Sequence, residues 1–381
     1  MIYLDHHATT PPSRAVMEAM TTVMSGTWAN ASSQHAPGQA AKRALADARA
    51  TVARVLGCKP AEVIFTSGAT EANHLAVRGL LAAVPAGRRR VVFSAVEHAG
   101  HLKLARELAS AGVPVDFLPV RPDGRLDLGA AASLIGPDVA VVSLIAAQNE
   151  TGVLMPVAQV AALAAAAGVH LHVDATQWVG KLPFDFAEWG ADAVSLSAHK
   201  FNGPKGVGAL LLRQGVGICP VVPGSQERHR RGGTENLPAI AGMAAALSQL
   251  GDVNAEAARQ SALRDRVERA LSAALPEVHL WGAEVPRLPG VSFLRVGCWP
   301  ADVLLQRLER LGFAASPGAA CSSSGSAPSQ ALTAMGVPGD EALCAIRLSL
   351  GRTTSSAEVD ALVAALPTLR SLLPAGHAQA A

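Results

Sequence analysis

Apolar positions follow two rhythms along this chain. Short, nearly unbroken apolar runs, such as Val139 to Ala146, alternate with longer stretches, such as Gln39 to Leu56, whose apolar residues return with helical spacing. The first rhythm predicts strands buried on both faces, and the second predicts helices that cover them. In order, the pattern predicts a short strand at Tyr3 to Asp5, a helix N-capped by Ser13, and the helix from Gln39 to Leu56. A strand at Glu62 to Phe65 then runs through Thr66-Ser67-Gly68-Ala69-Thr70-Glu71 into a helix reaching Leu81. Strands at Arg90 to Ser94, Val113 to Leu118, Val139 to Ala146, Val169 to Asp174, Asp192 to Leu196 and Gly206 to Leu212 follow, with helices at His101 to Ala111 and Val157 to Ala167 between them.

Repeated strand–helix units of this kind predict an α/β fold, a mostly parallel seven-stranded sheet with helices on both faces. The large domain is expected to span 13–250, closing with a helix from Leu237 to Leu250, and the polar stretch Gly251-Asp252-Val253-Asn254 marks its boundary. Residues 251–381, joined by 1–12, mix helices at Ala257 to Leu275, Asp302 to Leu311 and Ala357 to Leu373 with strands at Val291 to Val296 and Ala345 to Leu350. They read as a smaller α+β domain.

Composition narrows the function classes. With 381 residues and 50% hydrophobic content, a sizeable core is available. The net charge of +2, with scattered Lys and Arg, gives no electrostatic case for direct nucleic-acid binding. The longest alanine-rich run, Gln159 to Gly168, is too short to span a bilayer, so no membrane association is expected. Five cysteines without a Cys-x-x-Cys spacing indicate neither a disulfide framework nor a metal site. A reducing compartment fits this usage and no secretory signal is visible, so the expected location is cytoplasmic.

The candidate chemistry centres on Lys200, in Ser197-Ala198-His199-Lys200-Phe201-Asn202-Gly203-Pro204-Lys205-Gly206, set between a strand and a glycine-rich turn. A lysine shielded from water there would favour the neutral amine, a nucleophile able to condense with an aldehyde such as that of pyridoxal 5'-phosphate (PLP). One strand earlier an apolar run ends on Asp174, where a carboxylate could pair with a protonated pyridine nitrogen or cap the next turn. The Thr66 to Glu71 turn opens a helix, which suits either an ordinary cap or a phosphate. The polar loop Trp28 to His35 could line a site or lie on the surface.

With these motifs in place, the chain resembles a cysteine desulfurase, a PLP enzyme of the class V aminotransferase fold, fold type I. The likeness runs from Tyr3-Leu4-Asp5 with Ala8-Thr9-Thr10-Pro11 to Ile346-Arg347-Leu348-Ser349-Leu350-Gly351-Arg352. It implies that Lys200 carries PLP, Asp174 pairs with its pyridine nitrogen, and Gln177 bonds its ring hydroxyl. Ala69 and Thr70 would hold the phosphate together with Ser197, His199 and, across a homodimer, Thr234 from the other subunit. His98 would stack on the ring and move protons, Asn149 would contact cofactor and substrate, and Arg347 would bind the carboxylate of L-cysteine. Cys321, in a loop of Gly, Ser and Ala, would be the thiol that takes sulfur as a persulfide, releases alanine, and serves an acceptor protein such as an iron-sulfur scaffold or a tRNA-thiolation relay. A selenocysteine lyase or an aminotransferase on the same fold is the alternative. The chain departs from the family pattern at Ala31, Gln148 and Pro223-Gly224-Ser225, which bears on loop shape and choice of partner.

Overall fold

The computed structural model describes residues 1–85, 87–318 and 327–373. Its centre is a seven-stranded sheet in the order Val63–Thr66, Gly208–Leu212, Ala193–Ser197, His170–Asp174, Val139–Ile145, Arg90–Ser94, Val115–Leu118. Gly208–Leu212 is antiparallel to both neighbours, and the other pairings are parallel. Val139–Ile145 and Ala193–Ser197 are buried along their whole length, which is why their sequences are apolar but for serines. Helices close the sheet on both sides through two large apolar clusters, one containing Val142, Leu171 and Met243, the other Leu75, Phe93 and Leu210.

A four-stranded antiparallel sheet, ordered Ser316–Pro317, Ile346–Ser349, Val291–Val296, Val278–Trp281, lies in the C-terminal part. The N-terminal strand Ile2–Tyr3 pairs in parallel with Phe313–Ala314, and Leu4 enters the apolar cluster of Leu271, Leu294, Phe313 and Leu348. The first residues are thereby tied to the last third of the chain.

Three helix starts differ from the hydrophobic pattern because polar caps precede the periodic residues, the first being Ala36–Val55, capped by His35, whose Nδ1 accepts from Gly38 N. The helix Val253–Ala274 begins at Asp252, whose carboxylate accepts from the N–H groups of Asn254 and Ala255. The helix Ala99–Ser110 begins at His98, whose Nδ1 accepts from Gly100 N at 3.2 Å. Val278–Trp281, in which only Trp281 is buried and His279 is exposed, carries too little alternation to be read in advance.

One stretch of backbone is strained. Glu227, Arg228 and His229 all have positive φ (46°, 58° and 65°), a region that non-glycine residues enter at a cost. Buried Glu227 anchors the turn: both its oxygens receive Arg49, at 2.6 and 2.7 Å, and one also accepts from Phe65 N. That bidentate pair fixes the segment leading to Thr234.

Candidate active site

The carboxyl ends of the parallel strands open into one cavity of about 870 Å³. Ile145, Asp174 and Ser197 reach it from strand ends, and His98 from the turn after Arg90–Ser94. Arg347, Ala327, Pro328 and Ala331 close it from the C-terminal part.

Asp174 ends its strand at the floor of this cavity, only 3% exposed. Burial pulls its acidity toward the neutral acid, but the Thr176 N–H (2.9 Å) and the Asn73 Nδ2 amide (2.7 Å) prevail and hold the carboxyl below the usual range. Asp174 is therefore a buried anion at the floor of the cavity. Behind it, His172 sits between the hydroxyls of Ser143 and Ser195, each at 2.9 Å, and burial drives it down to about 3, so it is neutral. Glu97 and His101, 3.1 Å apart and wholly buried, pack against the same floor.

Lys200 ends a single turn, Ala198–Lys200, that follows strand Ala193–Ser197. Its Nζ donates to the carbonyls of His7 (2.5 Å) and Ala8 (2.9 Å). Gln177 donates through Nε2 to the same His7 carbonyl at 2.9 Å, while its Oε1 accepts from Lys181. The neighbouring His199 bonds Thr9 Oγ1, and burial with the charges of Lys200, Lys205 and Lys181 lowers it to about 4.

Across the cavity the helix Ala69–Ala83 presents its N-terminus, with Gly68 as a cap that offers no side chain. The first N–H groups of a helix lack intrahelical partners, so this end carries a partial positive charge toward the cavity. Gly208 lets the next strand approach here: a Cβ on it would lie 2.7 Å from the Gly68 backbone and 2.5 Å from the Leu196 carbonyl. Ser197 is buried beside this turn, and Thr70 is exposed within it.

His98 accepts through Nδ1, which places its proton on Nε2 when the ring is neutral. Burial favours that neutral form and outweighs the nearby Asp174. Arg347 donates to Asp5 Oδ1 (2.8 Å) and to the Asn149 carbonyl (2.9 Å), and among the described residues its buried Nε has no partner, nor has Asn149 Oδ1. Glu150 also lines the cavity and accepts from Ser329 Oγ. Burial pushes its carboxyl up to about 7, the Ser329 bond and Arg347 acting in the opposite direction.

A raised folded-state value means that Glu150 favours folding most below its ordinary 4.5, an advantage lost as pH rises through 7. Glu150→Gln is thus expected to match the parent in thermal unfolding near pH 4 and to exceed it at pH 8 by on the order of 3 kcal/mol. Equal stability of the two proteins at pH 8 would remove this assignment.

The cavity gathers Lys200, Asp174, Gln177, His98, Ala69, Thr70, Asn149, Ser197, His199 and Arg347. Thr234 is exposed and does not line it, nor does any residue of Trp28 to His35. Cys321 lies outside the described residues. Three contributors were not singled out in the sequence: Asn73, His7 and Lys181. Asn73 lies three residues after Thr70 on one helix face, which marks its place near the site but not its partner Asp174, and Lys181 follows Gln177 through a stretch of turns that no helical period marks. His7 contributes its carbonyl, which no side-chain pattern announces.

Comparison with known proteins agrees with this geometry. The family model described as Aminotransferase class-V matches residues 2–362. The protein named "Cysteine desulfurase" from Cereibacter sphaeroides is 43% identical over 384 residues, covering 98% of each chain. Among solved structures, one titled "NIFS-LIKE PROTEIN" superposes with a TM-score of 0.90 at 31% identity, covering 98% of this chain and 100% of its own. Another, titled "SspA in complex with cysteine", gives a TM-score of 0.82 at 28% identity over 92% of this chain and 99% of its own. Agreement of this extent, end to end in sequence and in fold, means that the chain belongs to the aminotransferase class-V family, among its cysteine desulfurases.

Proposed function

We propose that this enzyme takes sulfur from L-cysteine, releasing L-alanine and leaving a persulfide on Cys321 for an acceptor. The observation that carries the reading is the meeting of Lys200, the Asp174 anion and an open helix N-terminus around one cavity.

The family works with PLP, and the residues present suit that group. Its phosphate requires N–H donors and positive potential, which the Ala69–Thr70 helix end supplies beside Ser197 and His199. Its pyridine nitrogen requires a buried anion, and Asp174 is one. The orphaned polar atoms Thr176 Oγ1 and Asn149 Oδ1, in residues of the cavity wall, add partners for a polar ring. Lys200 would hold the aldehyde carbon, with Gln177 near the ring hydroxyl and His98 over the ring face. Bound there, PLP supplies an electron sink for the substrate's α-carbon.

The protein's own groups then have distinct tasks. Arg347 takes the substrate carboxylate in its planar fork, a geometry that the ammonium of lysine cannot offer. Lys200 Nζ removes the α-proton, and His98 Nε2 exchanges protons with the substrate and the thiol. The Cys321 thiolate attacks the substrate sulfur: an S–S bond forms, the Cβ–Sγ bond breaks, and Cβ takes a proton, so that cysteine plus thiol becomes alanine plus persulfide without an external oxidant. Ala327 and Pro328, just beyond the segment that carries Cys321, line the cavity. In this scheme residues 13–250 form the cofactor domain, and 1–12 with 251–381 bring Arg347 and Cys321 to it. A homodimer, with Thr234 completing the partner's phosphate site, and delivery of sulfur to an iron-sulfur scaffold or a thiolation relay in the cytoplasm complete the proposal. Among the described residues no helix is long and apolar enough to cross a membrane.

Purified protein given L-cysteine and a thiol reductant is expected to release sulfide and alanine in equal amounts. Formation of a keto acid without sulfide would contradict the reading. Arg347→Lys is expected to raise KM for cysteine by roughly 10–100-fold with PLP content unchanged, measured by initial rates; an unaltered KM would show that Arg347 serves only its bonds to Asp5 and to the Asn149 carbonyl.

A further inference from the structure

Lys181 is buried at 8% exposure, does not line the cavity, and has no task in the scheme above. Its Nζ donates to Gln177 Oε1 at 2.9 Å. With its oxygen engaged there, the Gln177 amide turns its NH2 outward, to the His7 carbonyl at 2.9 Å. That same carbonyl, with the carbonyl of Ala8, receives the amine of Lys200.

We propose that Lys181 is a positioning residue for Lys200: by locking the Gln177 amide it fixes the His7 carbonyl, and through it the cradle that orients the Lys200 amine. The proposal rests on the reading that Lys200 is the residue to which PLP attaches. A side-chain amide is nearly symmetric in shape, and packing alone does not choose between its two orientations. A donor on one end does choose. Burial, with the positive charges of Lys200 and Arg347 nearby, holds Lys181 well below the usual lysine range. Filling space is a task that methionine performs without the desolvation cost of an amine. A merely structural Lys181 would therefore be replaceable by methionine with no change at Lys200.

The test uses cofactor-free full-length protein and follows attachment of PLP to Lys200 by absorbance, then by borohydride reduction and peptide mass. Lys181→Met and Gln177→Ala are each expected to slow attachment roughly tenfold, and the double variant to be no slower than the slower single one. Lys181→Gln, which keeps an N–H for the Gln177 oxygen, is expected to recover most of the rate. The melting temperature of Lys181→Met is expected to equal or exceed that of the parent. Attachment at the parental rate in Lys181→Met, or losses that multiply in the double variant, would overturn the proposal. If the unmodified protein does not attach PLP at Lys200, the cofactor reading itself falls and takes this proposal with it.

Discussion

Lys200→Ala is expected to fold, to bind PLP only reversibly, and to lose turnover by roughly 10³-fold or more. Folding survives because Lys200 is half-buried and its bonds go to carbonyls of a segment held independently by strand pairing and by Gln177. Reversible binding survives because the Asp174 anion and the Ala69–Thr70 helix end do not depend on the lysine. Turnover is lost because the same amine is asked both to hold the cofactor and to take the α-proton. Lys103 and Lys205 also line the cavity and are the competitors for these tasks. Borohydride reduction followed by dialysis decides among them: a link retained in Lys200→Ala would assign the cofactor to another lysine.

Asp174→Asn removes a charge while leaving the shape nearly intact. Thr176 N can still donate to the remaining carbonyl oxygen, and Asn73, whose Oδ1 has no partner, can rotate its amide to accept from the new NH2. What is lost is the anion that would face the pyridine nitrogen in the proposed function, and an ion pair at about 4 Å with an effective dielectric of about 20 would be worth roughly 4 kcal/mol. That corresponds to a fall of about 10³-fold in kcat, with melting temperature little changed. Steady-state rates on the PLP-saturated variant test this, and a loss below about tenfold would mean that the Asp174 charge does not act on the ring.

The strongest sequence signals were those in which chemistry and hydrophobic rhythm coincide. Asp174 stood out because it ends an apolar run, and Lys200 because it interrupts two strands that turn out to pair antiparallel, Ser197 opposite Gly208. His98 was legible as a residue at the end of a strand, yet its cap bond to Gly100 shows that it begins the next helix. Contacts between residues far apart in the chain were not legible. Asn73 reaches Asp174 across 101 positions, and Arg347 reaches Asp5 across 342. Nothing local in either segment marks such a pairing. The antiparallel strand Gly208–Leu212 likewise reads as one more apolar run, since strand direction is set by the short turn before it and not by side-chain period.

The central claim is that a thiol of this chain receives the sulfur of L-cysteine. It is tested most directly by peptide mass spectrometry of the PLP-loaded protein after a brief incubation with L-cysteine, before any reductant is added. The account predicts one added sulfur on the peptide containing Cys321, with one alanine released per sulfur bound. Alanine production continuing in Cys321→Ala, or added sulfur confined to Cys58, Cys219, Cys298 or Cys344, would contradict it.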